Sequence, residues 1–207
     1  MDEQKPKKAR EDSLAKTRRM TGLAIFSAII VVLQLVSNFV KFGPVTITLA
    51  LAPIIIGAAL YGSGSGAILG FVLGLVVFIF GLFGLDGGFV QLLMAQNAFA
   101  AILICLVKTT VAGWLAGLVY EAIQKKSRLA AVITAGIVCP VVNTGLFILG
   151  MVVFFFSTLQ SFANGTAMLY YIIVTLTGVN FLIELGVNMI LASGITRVIQ
   201  AGSRRWI

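Results

Sequence analysis

The residues best suited to chemistry are two opposite charges set in apolar surroundings. Lys108 follows the run Ala100-Ala101-Ile102-Leu103-Ile104-Cys105-Leu106-Val107, and Glu184 follows Val179-Asn180-Phe181-Leu182-Ile183. An isolated charge in hydrocarbon costs at least ~2.5–3.5 kcal/mol on insertion scales, so both side chains are expected to face the protein interior and could pair. Taken alone, the pair reads either as a structural ion pair that fixes helix register or as a ligand site or proton relay. Asn143, Asn180 and Asn188 add amides at comparable depth. Asn180, Glu184 and Asn188 are spaced by four and so share one helix face. Gln96 and Asn97 begin a second polar stripe, with Lys108 about three turns further along. This set offers hydrogen-bond donors and acceptors but no nucleophile and no activated water, which suits recognition of a polar organic molecule better than catalysis.

The rest of the chain removes the main catalytic classes. It contains no His, and its two Cys, Cys105 and Cys139, are each flanked by apolar residues. A metal site, a His-based triad and a disulfide framework all lose support, so neither an enzyme nor a cofactor is expected. The turn Tyr61-Gly62-Ser63-Gly64-Ser65-Gly66 lacks the following Lys-Ser or Lys-Thr of a P-loop, and no nucleotide site is evident.

The elements that must position these residues are membrane helices. Of 207 residues, 59% are hydrophobic and 11% charged, against about 25% charged in a soluble domain. The mean hydropathy is +1.07, and a particle this small cannot bury so much apolar surface. The excess must face lipid, and the expected fold is all-α and polytopic. Runs near ~20 apolar residues give six candidate crossings: Thr21 to Val40, Leu49 to Tyr61, Gly66 to Leu85, Val90 to Tyr120, Leu129 to Phe156 and Ala167 to Ile195. The second is too short for a core of about 30 Å and is expected to be a short or tilted helix capped by irregular backbone.

Charge fixes the expected orientation. The net charge is +8, and its densest basic block is residues 1–19, where Lys5, Lys7, Lys8, Arg10, Lys16, Arg18 and Arg19 outnumber Asp2, Glu3, Glu11 and Asp12. This basic tail leads directly into the first apolar run, as a cytoplasmic juxtamembrane anchor does, and nucleic-acid binding is not expected. The first run exceeds the ~7–15 residue core of a signal peptide and is expected to be retained. With the tail inside, six crossings bring Lys125, Lys126 and Arg128, and also Arg197, Arg204 and Arg205, to the same side. Both termini are therefore expected to be cytoplasmic, with a tail over 1–19 and a six-helix membrane domain over 20–207.

Small residues mark close helix approach. Gly62, Gly66, Gly70 and Gly74 recur every four residues, which suits internal packing. Ala24 and Ala28 leave one side of the first helix shallow enough to dock another. Three connections are expected as loops that could close over a cavity: Lys41 to Thr48, Leu85 to Gly88, and Ser157 to Gly165.

Taken together, these residues resemble the substrate-specific (S) components of energy-coupling factor (ECF) vitamin transporters. The likeness rests on six spans with both ends inside and on the Ala24-x-x-x-Ala28 pair. It rests also on the Gly43-Pro44-Val45-Thr46-Ile47-Thr48 loop leading into Pro53-Ile54-Ile55-Ile56-Gly57, on Tyr61-Gly62 with Gly66-Ala67-Ile68-Leu69-Gly70, and on Pro140-Val141-Val142-Asn143-Thr144-Gly145. The resemblance implies a vitamin-binding subunit of the bacterial plasma membrane, energised by a membrane coupling (T) subunit and two ABC ATPases. It implies that Ala24 and Ala28 dock the coupling subunit, and that the pocket opens outward between the first, third and fifth loops and the outer parts of the fourth to sixth helices. Candidate substrate contacts are Lys41, Thr46, Gln96, Asn97, Lys108, Asn143, Asn180 and Glu184. The run from Gly43 through Gly74 is most similar to pantothenate-type members, with riboflavin as the second candidate. From a different class, a self-sufficient carrier driven by protons through Glu184 remains an alternative, opposed by small size and the lack of an evident inverted repeat. A membrane-embedded enzyme ranks last.

Overall fold

Alternating long apolar helices and short Gly-rich joints build a helical bundle, seen in a computed structural model. The structure describes residues 4–39, 41–42, 45–46, 48–163, 178 and 181–190. The elements in chain order are α1 (Gln4–Ser37), β1 (Lys41–Phe42), β2 (Val45–Thr46), α2 (Leu51–Tyr61), α3 (Ser63–Leu82), α4 (Phe89–Ile123), α5 (Arg128–Phe154) and α6 (Phe156–Ala163), followed by α7 (Phe181–Ile190). The all-α expectation holds apart from one antiparallel pair of two-residue strands, with Lys41 opposite Thr46 and Phe42 opposite Val45.

Among the described residues, four helices are long and apolar enough to cross a membrane: Ser13–Ser37 within α1, then α3, α4 and α5. The second expected crossing is α2, of 11 residues, which at 1.5 Å per residue reaches only about 16 Å. Its residues from Leu51 to Ala58 are all buried, so it works as an internal peg around which α1, α3, α4 and α5 pack. Of the last expected crossing, the described parts are residue 178 and the apolar helix α7. No break separates the basic tail from the first span, since α1 runs unbroken from Gln4 through position 19 to Ser37.

The glycine stripe packs inside the bundle. A Cβ added at Gly66 would meet the Gly113 carbonyl, one at Gly70 the Thr109 carbonyl, and one at Gly74 the Cys105 carbonyl at 2.6 Å. These contacts run down α4 in steps of four, so α3 and α4 touch backbone to backbone. Gly62 makes the turn from α2 into α3 with φ +92°, a conformation costly for residues with a Cβ. At the same joint the Ser63 backbone N–H donates to Glu121 Oε1 at 2.6 Å, and Arg19 Nε donates to Ser65 Oγ at 3.0 Å. One knot thus ties α1, α3 and α4 together.

Two of the expected loops are ordered. Positions 157–163, expected as part of a flexible loop, belong to helix α6. Phe155, Leu159 and Ala163 recur every four residues and pack against Phe147 and Met151 of α5, so burial on one face organises the segment. The Leu85 to Gly88 connection is fixed by Asp86, whose carboxylate accepts from the N–H groups of Gly88 (2.9 Å) and Val90 (2.8 Å) and so caps the start of α4. The α4 helix itself bends at Asn97 (φ −153°, ψ 95°). Asn97 Oδ1 accepts from the Ala100 N–H at 3.1 Å, restarting the helix as an N-cap does.

The α3–α4 contact sets the first expected outcome. Gly70→Val should lower stability by about 3 kcal/mol, the upper end of ordinary overpacking, because backbone rather than a pliant side chain stands in the way. Gly145→Ala, with nothing within 4 Å of the added carbon, should be neutral or slightly stabilising. Thermal unfolding of both purified variants in detergent checks this, and equal melting temperatures would contradict it.

Candidate functional site

The polar residues of α7 meet the rest of the bundle at two points. On one side Asn143 Nδ2, from α5, donates to Glu184 Oε1 at 3.4 Å. On the other, Asn188 Nδ2 donates to the Thr48 carbonyl at 3.3 Å and to the Glu184 carbonyl at 2.7 Å. The Thr48 backbone amide also faces the Glu184 carboxylate. Helix periodicity explains the arrangement, because residues 184 and 188 stack on one face. Asn180, the expected third member of that stripe, lies outside the described residues.

A third contributor was not singled out from the sequence. The end of α1 carries Gln34, Ser37 and Asn38, all buried despite being polar. Ser37 Oγ accepts from the Leu49 N–H at 3.2 Å while donating to the Leu33 carbonyl at 2.8 Å, and Gln34 Nε2 reaches Asn38 Oδ1 at 3.5 Å. The Thr48-Leu49 segment is therefore held from both sides, by Ser37 of α1 and Asn188 of α7. The spacing 34, 37, 38 within an otherwise apolar helix end is the signal that could have found these residues, since it puts all three on one face.

Hydrogen-bonding capacity in this cluster exceeds what the chain itself uses. Gln34 Oε1, Asn38 Nδ2, Asn143 Oδ1 and Asn188 Oδ1 are buried without a partner among the described residues. A buried polar atom left unpaired costs about 1–3 kcal/mol, so each of these four is an open hydrogen-bonding position.

Of the two readings left open for Lys108 and Glu184, a direct ion pair is not formed among the described residues. The Lys108 Nζ lies over the Phe147 ring, 4.8 Å from its centroid, while still close enough to act electrostatically on Glu184. Phe147 is one turn beyond Asn143 on α5. Lys108 also lines a groove of about 260 Å³ between α4 and α5, whose other walls include Ile104, Leu146 and Gly150.

The remaining candidates are distributed around this centre. Lys41 and Thr46 face each other across the β1–β2 pair, which precedes the Thr48-Leu49 segment. Gln96 and Asn97 are exposed. Gln96 accepts from Thr158 Oγ1 of α6, and Asn97 caps the α4 bend. Both lie about 16–18 Å along α4 from Lys108, so the structure does not bring them beside it. Ala24 and Ala28 are exposed on the outer side of α1, whereas Gly22, Ile30 and Gln34 point inward. A shallow apolar face on that helix is thus left free of internal packing among the described residues.

A buried polar cluster around Glu184 and an exposed small-residue face on the first helix thus belong to one bundle. The model of the family described as "ECF transporter, substrate-specific component" matches residues 18–196. The chain belongs to this family. Comparison with curated proteins gives no match. The S component is a membrane protein and a substrate-specific transport subunit, and its family is one of transport proteins rather than enzymes. The match begins at Arg18, just ahead of the exposed Ala24 and Ala28, and extends past Asn188.

The two-sided hold on Thr48-Leu49 sets an expectation for the first loop of the S component. Ser37→Ala and Asn188→Leu each remove one of the bonds that hold the segment, worth about 0.5–1.5 kcal/mol net, which corresponds to up to about tenfold more frequent opening. Tryptic cleavage after Lys41 in the intact membrane protein should accelerate by that factor in either variant. Unchanged cleavage in both would show that the loop is held by other means.

Proposed function

We infer that this S component is the high-affinity substrate-binding subunit of an ECF-type ABC importer for a water-soluble vitamin, with pantothenate favoured over riboflavin. In this reading it lies in the bacterial plasma membrane with six crossings and both termini cytoplasmic. Residues 1–19 form the basic tail and 20–207 the membrane domain. The observation that carries the reading is the coincidence of the family match with a buried, incompletely satisfied cluster of amides around a carboxylate. Such a cluster has the composition of a site for a polar organic molecule, namely a few well-placed polar groups in an apolar cavity.

The substrate would be held by Asn143, Asn180 and Glu184, with Lys108 near the carboxylate. Lys41 and Thr46 would act from the first loop, and Gln96 and Asn97 from the start of α4. For pantothenate, the carboxylate would use Lys108 or Lys41, and the hydroxyls and the amide N–H would donate to the Asn143 and Glu184 acceptors. For riboflavin, Asn and Lys groups beside Phe rings would hold the flavin plane. Energy would come from elsewhere: a membrane T subunit would dock on Ala24 and Ala28, and two ABC ATPases would drive the cycle through it. The exposure of both alanines supports that role, because close helix approach needs small residues on a free surface.

The test fills that surface. Ala24→Trp combined with Ala28→Trp should leave substrate binding by the isolated chain within about twofold of wild type, while abolishing co-purification of the T subunit and uptake by the assembled importer. Intact uptake in the double variant would overturn the docking assignment. Sustained uptake by the chain alone in vesicles under a pH gradient would instead favour a proton-driven carrier.

A further inference from the structure

Uncompensated positive charge gathers at one level of the bundle. Over positions 1–12 the bases Lys5, Lys7, Lys8 and Arg10 are matched one for one by Asp2, Glu3, Glu11 and Asp12. The next two turns of α1 carry Lys16, Arg18 and Arg19 with no acid, and all three are exposed. The connection from α4 to α5 carries Lys125, Lys126 and Arg128, also exposed. Arg19 bonds to Ser65 and Glu121 to the Ser63 backbone, so both groups of cations stand at the same end, around the start of α3.

The described residues leave this rim unneutralised, because no carboxylate among them pairs with Lys16, Arg18, Lys125, Lys126 or Arg128. Glu121, the acid nearest the α4–α5 connection in sequence, is engaged by the Ser63 N–H at 2.6 Å. Arg19 gives one N–H to Ser65 Oγ and keeps the rest of its guanidinium fork. Depth then separates these cations from the remainder of the tail. A hydrocarbon core of about 30 Å takes about 20 residues of helix, which counted back from Ser37 brings its edge to Arg18. Lys16, Arg18 and Arg19 lie within about 3 Å of that edge along the axis, and Lys125 lies one turn beyond Glu121. The headgroup layer is about 5–8 Å thick. Positions 4–12 of the unbroken helix stand about 9–21 Å beyond the edge and so lie outside it.

From this we propose that the rim formed by Lys16, Arg18 and Arg19 of α1 and by Lys125, Lys126 and Arg128 of the α4–α5 connection is a binding surface for anionic phospholipid headgroups. Its cations sit in the layer that lipid phosphates already occupy, whereas an acidic soluble protein would have to reach down past the charge-balanced segment over 1–12. A zwitterionic headgroup brings its own cation and leaves the rim uncompensated. A phosphatidylglycerol headgroup does not, and each Lys or Arg at the surface strengthens its binding by about fivefold. Met20 and Leu129, exposed beside the cations, suit the acyl boundary just beneath. The inference goes beyond the transporter reading, since it needs only a membrane-embedded chain and no substrate, T subunit or ATPase enters it.

The test is native mass spectrometry of the full chain released from nanodiscs that hold equal amounts of phosphatidylglycerol and phosphatidylcholine. Wild type should retain phosphatidylglycerol over phosphatidylcholine by about tenfold or more. The rim variant Lys16→Gln/Arg18→Gln/Lys125→Gln/Lys126→Gln/Arg128→Gln, with Arg19 left to hold Ser65, should bring the two lipids within about twofold of each other. The tail variant Lys5→Gln/Lys7→Gln/Lys8→Gln/Arg10→Gln removes nearly as much positive charge and should leave the wild-type ratio unchanged. Excess inorganic phosphate should not displace the retained lipid. Equal retention of both lipids by wild type would overturn the proposal, and that comparison needs no variant. Displacement by phosphate would also overturn it, as a site for free anions, and so would an equal loss of preference in both variants, as net charge without location. A wild-type ratio in the rim variant together with loss of the T subunit would assign the patch to a protein partner instead. Substrate binding by the same samples reads the transporter assignment separately.

Discussion

The site depends on one short piece of backbone held at two points. Thr48 and Leu49 lie half-buried between the strand pair and α2. The Ser37 hydroxyl takes the Leu49 N–H and the Asn188 amide takes the Thr48 carbonyl. Irregular backbone inside a membrane protein is tolerated only where the protein itself satisfies it. These two side chains meet that condition, and in doing so they bring α1 and α7 to the same point. Glu184 is one turn from Asn188 and Asn143 faces it from α5, so the polar cluster follows from the hold on this segment.

The rest of the bundle makes that arrangement possible. An α2 of 11 residues starts deep among its neighbours, and its buried run from Leu51 to Ala58 fills the centre that a full-length crossing would otherwise occupy. The glycine contacts of α3 with α4 fix those two helices as a stiff pair, with carbonyls rather than side chains at the interface. Lys108 lies on the partner helix of that pair, one residue before Thr109, whose carbonyl meets Gly70. Its ammonium is therefore presented from a rigid wall. At the other end of the bundle the Arg19–Ser65 and Glu121–Ser63 bonds tie the joint next to the exposed alanines of α1. The polar cluster and a bare helix face thus share one scaffold.

Much of this was readable from residue types and periods. The apolar runs located α1, α3, α4 and α5, the shortness of the second run predicted α2, and the four-residue glycine spacing predicted a close internal contact. The four-residue spacing of Glu184 and Asn188 placed them on one face. Helix α6 was missed because turn-forming Ser and Gly residues near it outweigh, in local pattern, a burial face that exists only against α5. Asn97, a candidate ligand contact, also caps a bend in α4 that no local period announces. Gln34, Ser37 and Asn38 were passed over because a polar residue near the end of a span is ordinary until the returning backbone is seen beside it. A Lys108 and Glu184 pairing was one reading of their matching depth, whereas contact also needs matching rotation about two helix axes, which spacing along one chain cannot supply.

The account stands or falls on whether the polar cluster around Glu184 is a ligand site. The most direct measurement is an electron cryomicroscopy structure of the full chain in nanodiscs, purified without detergent washes that strip a bound molecule. The account predicts non-protein density within hydrogen-bond distance of Asn143 and Glu184. A cluster closed on itself, with any retained molecule elsewhere, would contradict it.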